Sequence, residues 1–243
     1  LITYFLIFLF CFTIIITGER SSLVKLLLFI FFVIFFSALL NTFKKKIIFF
    51  IILLLGIFSV IFSQPKLKER IIYHTFDLLL QKKHETKIDR NLSITENLKK
   101  ELNKSTFKLV YFSKEHNDHA IISIEMFKDK FLFGHGVKMF RFKCSEEKYY
   151  INDRSCSTHS HGILLSFMSE LGFIGLLFII LIYLQIFKNI FKNKKKTIIN
   201  SIILISIFVY LFPLLPSGYF FNNFFSMVLY TLVGTYLGYK KIR

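Results

Sequence analysis

Cys156-Ser-Thr-His159-Ser-His161-Gly162-Ile-Leu-Leu-Ser-Phe-Met-Ser-Glu170-Leu-Gly172-Phe-Ile-Gly175 is the stretch from which the fold of this chain is read. Two histidines stand at the mouth of a long apolar run, and two glycines spaced by three lie inside it. A helix advances about 100° per residue, which predicts His161 and Gly172 within roughly 20° of one another on one face. Ser169, Gly172 and Gly175 then continue that face as a small-residue stripe, of the kind that lets a neighbouring membrane helix approach closely. The expectation is a polar mouth above a tight helix contact.

Composition places the surroundings in a membrane. Of 243 residues 54% are hydrophobic, with 33 Phe, no Trp and a mean hydropathy of +0.56. Apolar runs of about 20 residues mark polytopic membrane proteins. The net charge of +17 would suggest nucleic acid in a soluble protein, but 11 of the 32 basic residues sit in three short clusters that flank apolar segments. These are Lys44–Lys46, then Lys188, Lys192 and Lys194–Lys196, then Lys240, Lys241 and Arg243. That is the placement of the positive-inside bias, so no nucleic-acid partner is expected and membrane lipid is. The richness in Phe, Ile, Lys and Asn carries no functional weight. Leu1 lies inside an apolar run, which suggests the later part of a longer chain.

Six spans are expected, at about 2–17, 23–40, 47–63, 161–187, 198–213 and 220–239. With the three basic clusters cytoplasmic, the Gly18 turn, the region 64–160 and the Pro213–Tyr219 turn all lie outside. The chain thus divides into three transmembrane helices (1–63), an extracytoplasmic domain (64–160) and three further transmembrane helices with a cytoplasmic C-terminus (161–243). The middle region holds 13 of the 15 acidic residues and 19 basic ones, the mixture of a soluble surface. Leu67 to about Leu80 reads there as an amphipathic helix. The part from about 85 to 105 reads as loose, and Val110-Tyr111-Phe112 leads into a second helix capped at Asn117 or Asp118. That helix carries Ala120, Ile121, Ile124 and Phe127 as its apolar set. It stops at Gly134-His135-Gly136, where glycines permit backbone angles other residues avoid. Cys144 and Cys156 share this region and can pair if it is extracytoplasmic; Cys11 reads as an ordinary membrane-helix residue.

Three side chains carry the candidate chemistry. His161 tops a helix whose free N–H groups and positive dipole end point outward, with Thr158 and Ser160 available as caps. Arg20, on the outer side against the positive-inside trend, offers a planar fork to a phosphate; the other readings are a side chain that snorkels to lipid headgroups and a salt bridge with Glu19. Arg141, in Phe140-Arg141-Phe142, is a third cation. His159-x-His161 with Cys156 nearby has no second spaced pair to complete a four-ligand set, so no metal is expected. Phosphate loops followed by Lys-Ser/Thr, Gly-x-Ser-x-Gly elbows and paired carboxylates are absent from the sequence.

Taken together these residues resemble the O-antigen ligase and polymerase superfamily. His161-Gly162, nine residues and Gly172-Phe-Ile-Gly175 are similar to that family's histidine followed by a Gly-x-x-Gly. Phe133-Gly134-His135-Gly136 with Phe140-Arg141 looks like its Gly-x-Gly element, and Gly18-Glu19-Arg20-Ser21 like its Ser-Arg-Gly turn. Cys144 and Cys156 resemble a cysteine pair of one branch, which implies a disulfide. Position 162 is Gly where the family prefers Asn, Ser or Gln, a polar contact that Ser160 can supply. His119 stands nearest to where the family places an arginine. The family has about twice as many spans, which implies a further N-terminal part.

The resemblance implies an all-α polytopic membrane protein, a GT-C-like helical bundle with a large, mainly helical periplasmic loop. It implies a glycosyltransferase at the periplasmic face of the bacterial inner membrane, without metal or other cofactor. Such an enzyme moves a glycan from undecaprenyl diphosphate to lipid A-core or another glycan acceptor, as ligase or polymerase. His161 is then the catalytic base or a hydrogen-bond partner of the diphosphate. Arg20, Arg141 and His119 hold substrate, and Gly134, Gly136, Gly172 and Gly175 are structural. The rival is a transporter or assembly subunit, which calls for broken helices or ionisable residues at mid-bilayer, Glu170 being the candidate.

Overall fold

The computed structural model describes residues 12–36, 42–73, 113–192 and 198–241, and among these every regular element is helical. After a helical turn at 12–17, Gly18 takes a positive φ of 64° and α1 (Arg20–Phe36) begins. There follow α2 (Phe43–Ser63) and α3 (Pro65–Lys68), the latter with proline at its first turn, where no N–H is needed. A π-helical turn, Glu69–Tyr73, continues α3. Further on come α4 (Lys114–Asp129), α5 (Phe140–Lys143), α6 (Ile163–Lys192), α7 (Ile198–Tyr210) and α8 (Asn223–Lys241). Two of these, α2 and Ile163–Phe191 within α6, are long and apolar enough to cross a membrane. The expected end of the amphipathic helix near Leu80, the loose part and Val110–Phe112 lie outside the described residues.

Three apolar clusters hold these helices. The largest joins α6, α7 and α8, with Leu28, Phe29, Phe32 and Val33 of α1 packed against it. Phenylalanine edges close its seams: Phe32 meets Phe208 at 5.0 Å and Phe36 meets Phe191 at 4.8 Å. A second cluster, built on Ile15, Leu23 and Ile61, ties the first turn, α1 and α2 to Ile71 and Ile72 of the π-helical turn. The third is the small core of the polar domain: Ile122 and Met126 of α4, Phe140, Cys144 and Tyr149. Cys144 is bonded there to Cys156, the Cα atoms 5.2 Å apart.

Two expectations are corrected. α4 starts one turn earlier than the sequence suggested, because Ser113 is its N-cap, its hydroxyl accepting from the His116 N–H at 3.3 Å. Its buried residues are Asp118, His119, Ala120, Ile122, Ser123 and Met126; of the expected set Ala120 is buried, whereas Ile124 is exposed and Ile121 and Phe127 are half-buried. Apolarity misled because the inner face includes a histidine and a serine.

The larger correction concerns the glycine stripe. His161 lies outside α6, at a φ of 53°, and Gly172 breaks the helix with φ 66° and ψ −155°. The two therefore share no helical face. Gly172 meets the backbone of the 132–134 loop, not a neighbouring helix: a Cβ on it would lie 2.5 Å from the Gly134 N and 2.7 Å from the Leu132 carbonyl carbon. Gly134, itself at φ 67°, is equally confined by the backbone of Glu170 and Gly172. Gly175 packs against Leu171 and the Phe167 carbonyl of its own helix.

Gly172→Ala combines left-handed strain, about 1–2 kcal/mol, with a clash against backbone that cannot step aside, and is expected to lose about 3 kcal/mol or more. Gly56→Ala, with no atom within 4 Å of the new Cβ, is expected to be neutral or to gain up to about 1 kcal/mol. Melting temperatures of the two detergent-purified variants check this contrast.

Candidate active site

The ends of the helices opposite Lys44–Lys46 and Lys188 gather around one cavity of about 820 Å³. Gly18–Ser21 and Lys25 enter from the start of α1, Lys66, Glu69 and Arg70 from the chain after α2, and His116 from the first turn of α4. His159 and His161 come from the loop before α6, and Pro216–Gly218 from the turn between α7 and α8. The wall thus carries four cations, Arg20, Lys25, Lys66 and Arg70, against two carboxylates. One carboxylate and one cation of the wall are paired with each other: Glu19 bonds Arg70 at 2.7 Å, and Arg70 also donates to the Thr17 carbonyl at 3.2 Å. The alternative of a Glu19–Arg20 bridge is therefore not the one adopted. Among the described residues Arg20 forms no ion pair.

His161 sits at the centre of four imidazoles. Its ring centre is 4.1 Å from that of His159, 5.1 Å from His119, stacked at 24°, and 5.3 Å from His116. The left-handed backbone is pinned from the far side, the Ser217 N–H donating to the His161 carbonyl at 3.0 Å. Ser160 spans the position of Gly162: its hydroxyl lies 2.9 Å from that of Ser166 and 3.4 Å from the Gly162 carbonyl. Thr158 lies against the His159 Nδ1 at 3.0 Å.

Burial is the main influence on these rings. It pushes His161 down to about 3, with the charges of His159, His119 and His116 adding to it. His119 is pushed down to about 4, again by burial first. His159 and His116 are lowered for the same reason, Glu115 opposing the shift at His116. All four are neutral at neutral pH, and both ring nitrogens of His119 are buried without a hydrogen-bond partner among the described residues. Among the described residues no three His, Cys, Asp or Glu side chains are grouped to hold a metal.

The other sequence candidates stand further out. His119 lies behind His161 and does not line the cavity, and Arg141 is exposed on α5, also outside the wall. His135 belongs to the domain core, its Nε2 3.1 Å from the Met126 carbonyl. Unforeseen in the sequence are Lys66, Arg70, His116 and Ser217 in the wall, and the role of Glu170. That carboxylate is 0% exposed and accepts from the Lys138 N–H at 3.0 Å, the Phe140 N–H at 3.3 Å and the Tyr219 hydroxyl. It joins the broken helix to the start of α5 and to the α7–α8 turn, where the Tyr219 ring lies 5.6 Å from His159. The i, i+4 spacing of Lys66 and Arg70 after Pro65 was the available signal for the first two.

The sequence profile of the family described as O-antigen ligase matches residues 5–180, well over half of the chain and every motif residue named above. The chain belongs to the O-antigen ligase family. No curated protein and no solved structure matches it. The family is membrane-integral, in keeping with the two long apolar helices, and its substrates are a lipid-linked glycan and an acceptor. The matched region of this O-antigen ligase family member brings Arg20 and His161 to one cavity from positions 141 apart in sequence.

The depressed imidazoles couple folding to protons. Between pH 6.5, the ordinary histidine value, and about 4, the unfolded chain binds a proton that buried His119 refuses. Stability from this source is complete above that window and is lost as pH falls through it. The melting temperature is expected to fall from neutrality towards about pH 4, and less steeply in His119→Phe, which cannot titrate. Superimposable profiles for the two proteins would contradict a buried neutral His119.

Proposed function

We propose that this O-antigen ligase family member is a metal-independent glycosyltransferase of polytopic, GT-C-like architecture. It works at the periplasmic face of the bacterial inner membrane and moves a glycan from undecaprenyl diphosphate to a sugar of lipid A-core. Polymerisation of the lipid-linked glycan is the sister reaction, sharing the same chemistry. The single observation that carries the proposal is the joint presence of cations and neutral imidazoles in one cavity, at the helix ends opposite Lys44–Lys46 and Lys188. That opposition also supports the six-span topology, with the cavity outside.

In the reaction the acceptor hydroxyl oxygen forms a bond to the anomeric carbon while the bond from that carbon to the diphosphate oxygen breaks. Negative charge grows on the leaving diphosphate, and Arg20, Lys25 and Lys66 are placed to meet it, with Arg70 held in the same wall by Glu19. The hydroxyl proton passes to His161. An imidazole at about 3 is a feeble base in the empty cavity. An anionic diphosphate alongside favours the imidazolium and raises that value towards the range where general-base catalysis is efficient. His159 and His116, in the same wall, orient the acceptor and donor, while His119 supports His161 through stacking. Arg141 adds positive potential outside the wall.

Lipopolysaccharide gels of a deletion strain complemented with the full-length gene test the assignment. His161→Ala is expected to lose long-chain material, consistent with the 10²–10⁴-fold contribution of a positioned base. Full restoration by the alanine form would exclude the base. His161→Gln keeps a hydrogen bond but no basicity, so activity in that variant would favour the diphosphate-binding role. Accumulation of lipid-linked polymer in the deletion identifies a ligase; a core capped with single repeats identifies a polymerase.

A further inference from the structure

The first ten residues of α6 are sheltered by protein, and exposed side chains begin on this helix at Phe173, immediately after the break. From there Phe173, Ile174, Leu177, Phe178 and Leu181 all face outward. The stretch 173–191 is about 28 Å long at about 1.5 Å per residue, close to the ~30 Å of a hydrocarbon core. The break therefore marks the outer boundary of the bilayer, and Phe191 lies near the inner one, beside the lysine cluster.

A second surface is fastened to α6 at that level. The Phe173 N–H donates to the Phe131 carbonyl at 2.7 Å and the Ile174 N–H to the Leu132 carbonyl at 3.3 Å. The rings of Phe131 and Phe173 stack at 5.3 Å. Yet Phe131, Leu132 and Phe133, in the middle of an otherwise polar domain, are 52%, 50% and 69% exposed. Phe127 extends the patch, its ring 5.0 Å from that of Phe131, and exposed Ile124 lies one helical turn before it. Lys128, whose ammonium pairs with Glu125 at 2.7 Å, and Lys130, both exposed, flank it. Apolar side chains continuous with a lipid-facing helix and rimmed by lysines have the character of a membrane-interface element.

We propose that Phe131-Leu132-Phe133, with Ile124 and Phe127, is a ledge that dips into the acyl chains of the outer leaflet. Lys128 and Lys130 lie at headgroup height, where the lysine ammonium is at home with phosphate. The ledge sets the height of the whole site, because the next residues hold the broken helix: the His135 N–H donates to the Ser169 carbonyl and the Gly136 N–H to the Glu170 carbonyl. The proposal rests on the membrane-integral character of the family and is independent of the transferase chemistry.

The chain has no Trp, so a single substitution introduces its reporter. Phe133→Trp in proteoliposomes is compared with Phe178→Trp on the outer face of α6 and with Glu147→Trp on the exposed side of the polar domain. The expected result is quenching of Phe133→Trp by phosphatidylcholine brominated on its acyl chains, comparable to Phe178→Trp, and iodide quenching several-fold weaker than at Glu147→Trp. Leu132→Trp repeats the measurement at the adjacent position in case one variant folds poorly. Iodide quenching equal to that of Glu147→Trp would overturn the ledge in favour of a water-exposed loop. Protection from both quenchers would overturn it in favour of a covering protein segment.

Discussion

The contact between the backbones of Gly134 and Gly172 is the constraint on which the remaining geometry depends. Each glycine occupies the space a side chain on the other would need, and each has a positive φ. Breaking a helix orphans carbonyls before the break and N–H groups after it, a costly state away from water. Here the loop supplies the missing partners. The Ser169 and Glu170 carbonyls accept from His135 and Gly136, and the Phe173 and Ile174 N–H groups donate to Phe131 and Leu132. The break and the Gly-x-Gly loop are two halves of one hydrogen-bonded object, so neither is stable without the other.

Glu170 extends this lock towards the chemistry. A buried carboxylate is tolerable only when its oxygens are hydrogen-bonded, and its three donors come from the Gly-x-Gly side of α5 and from Tyr219. The Tyr219 turn also contributes Ser217, whose N–H holds the His161 carbonyl and so the left-handed turn that aims the ring. The disulfide Cys144–Cys156 secures the same loop from the other end, on the floor formed by Ile122, Met126 and Phe140. His161 thus stands on a frame drawn from α4, α5, α6 and the α7–α8 turn, and is held without being part of any helix.

Much of this was legible because the motif residues and the lysine clusters are local marks. Gly134, Gly136, Gly172, Arg20 and His161 were each singled out from sequence, and the turns expected on one side do line one cavity. The break was not legible: a glycine in an apolar run reads equally as a stripe for helix packing or as a hinge, and only the partner backbone 38 positions earlier decides. The inner face of α4 was hidden by its polarity, since His119 and Ser123 are buried for their stacking and for a bond to the His119 carbonyl, not for apolar area. Lys66 and Arg70 were concealed among the 19 basic residues of the polar region, where charge alone distinguishes nothing.

The structure also bears on the rival reading as a transport protein. A broken helix and an ionisable residue within an apolar segment are what a membrane binding site for ions or solutes requires, and both occur here within three residues, at Glu170 and Gly172. In such a site the freed backbone groups and the carboxylate face a ligand path. In this protein the freed groups at Ser169, Glu170, Phe173 and Ile174 are satisfied by the loop, and the Glu170 carboxylate by three protein donors, so these groups bond protein and not a solute. Among the described residues, the cavity that gathers cations and imidazoles lies at one end of the helices and not along them. That distribution suits a reaction carried out at a membrane surface on a phosphate-bearing lipid better than passage through the membrane.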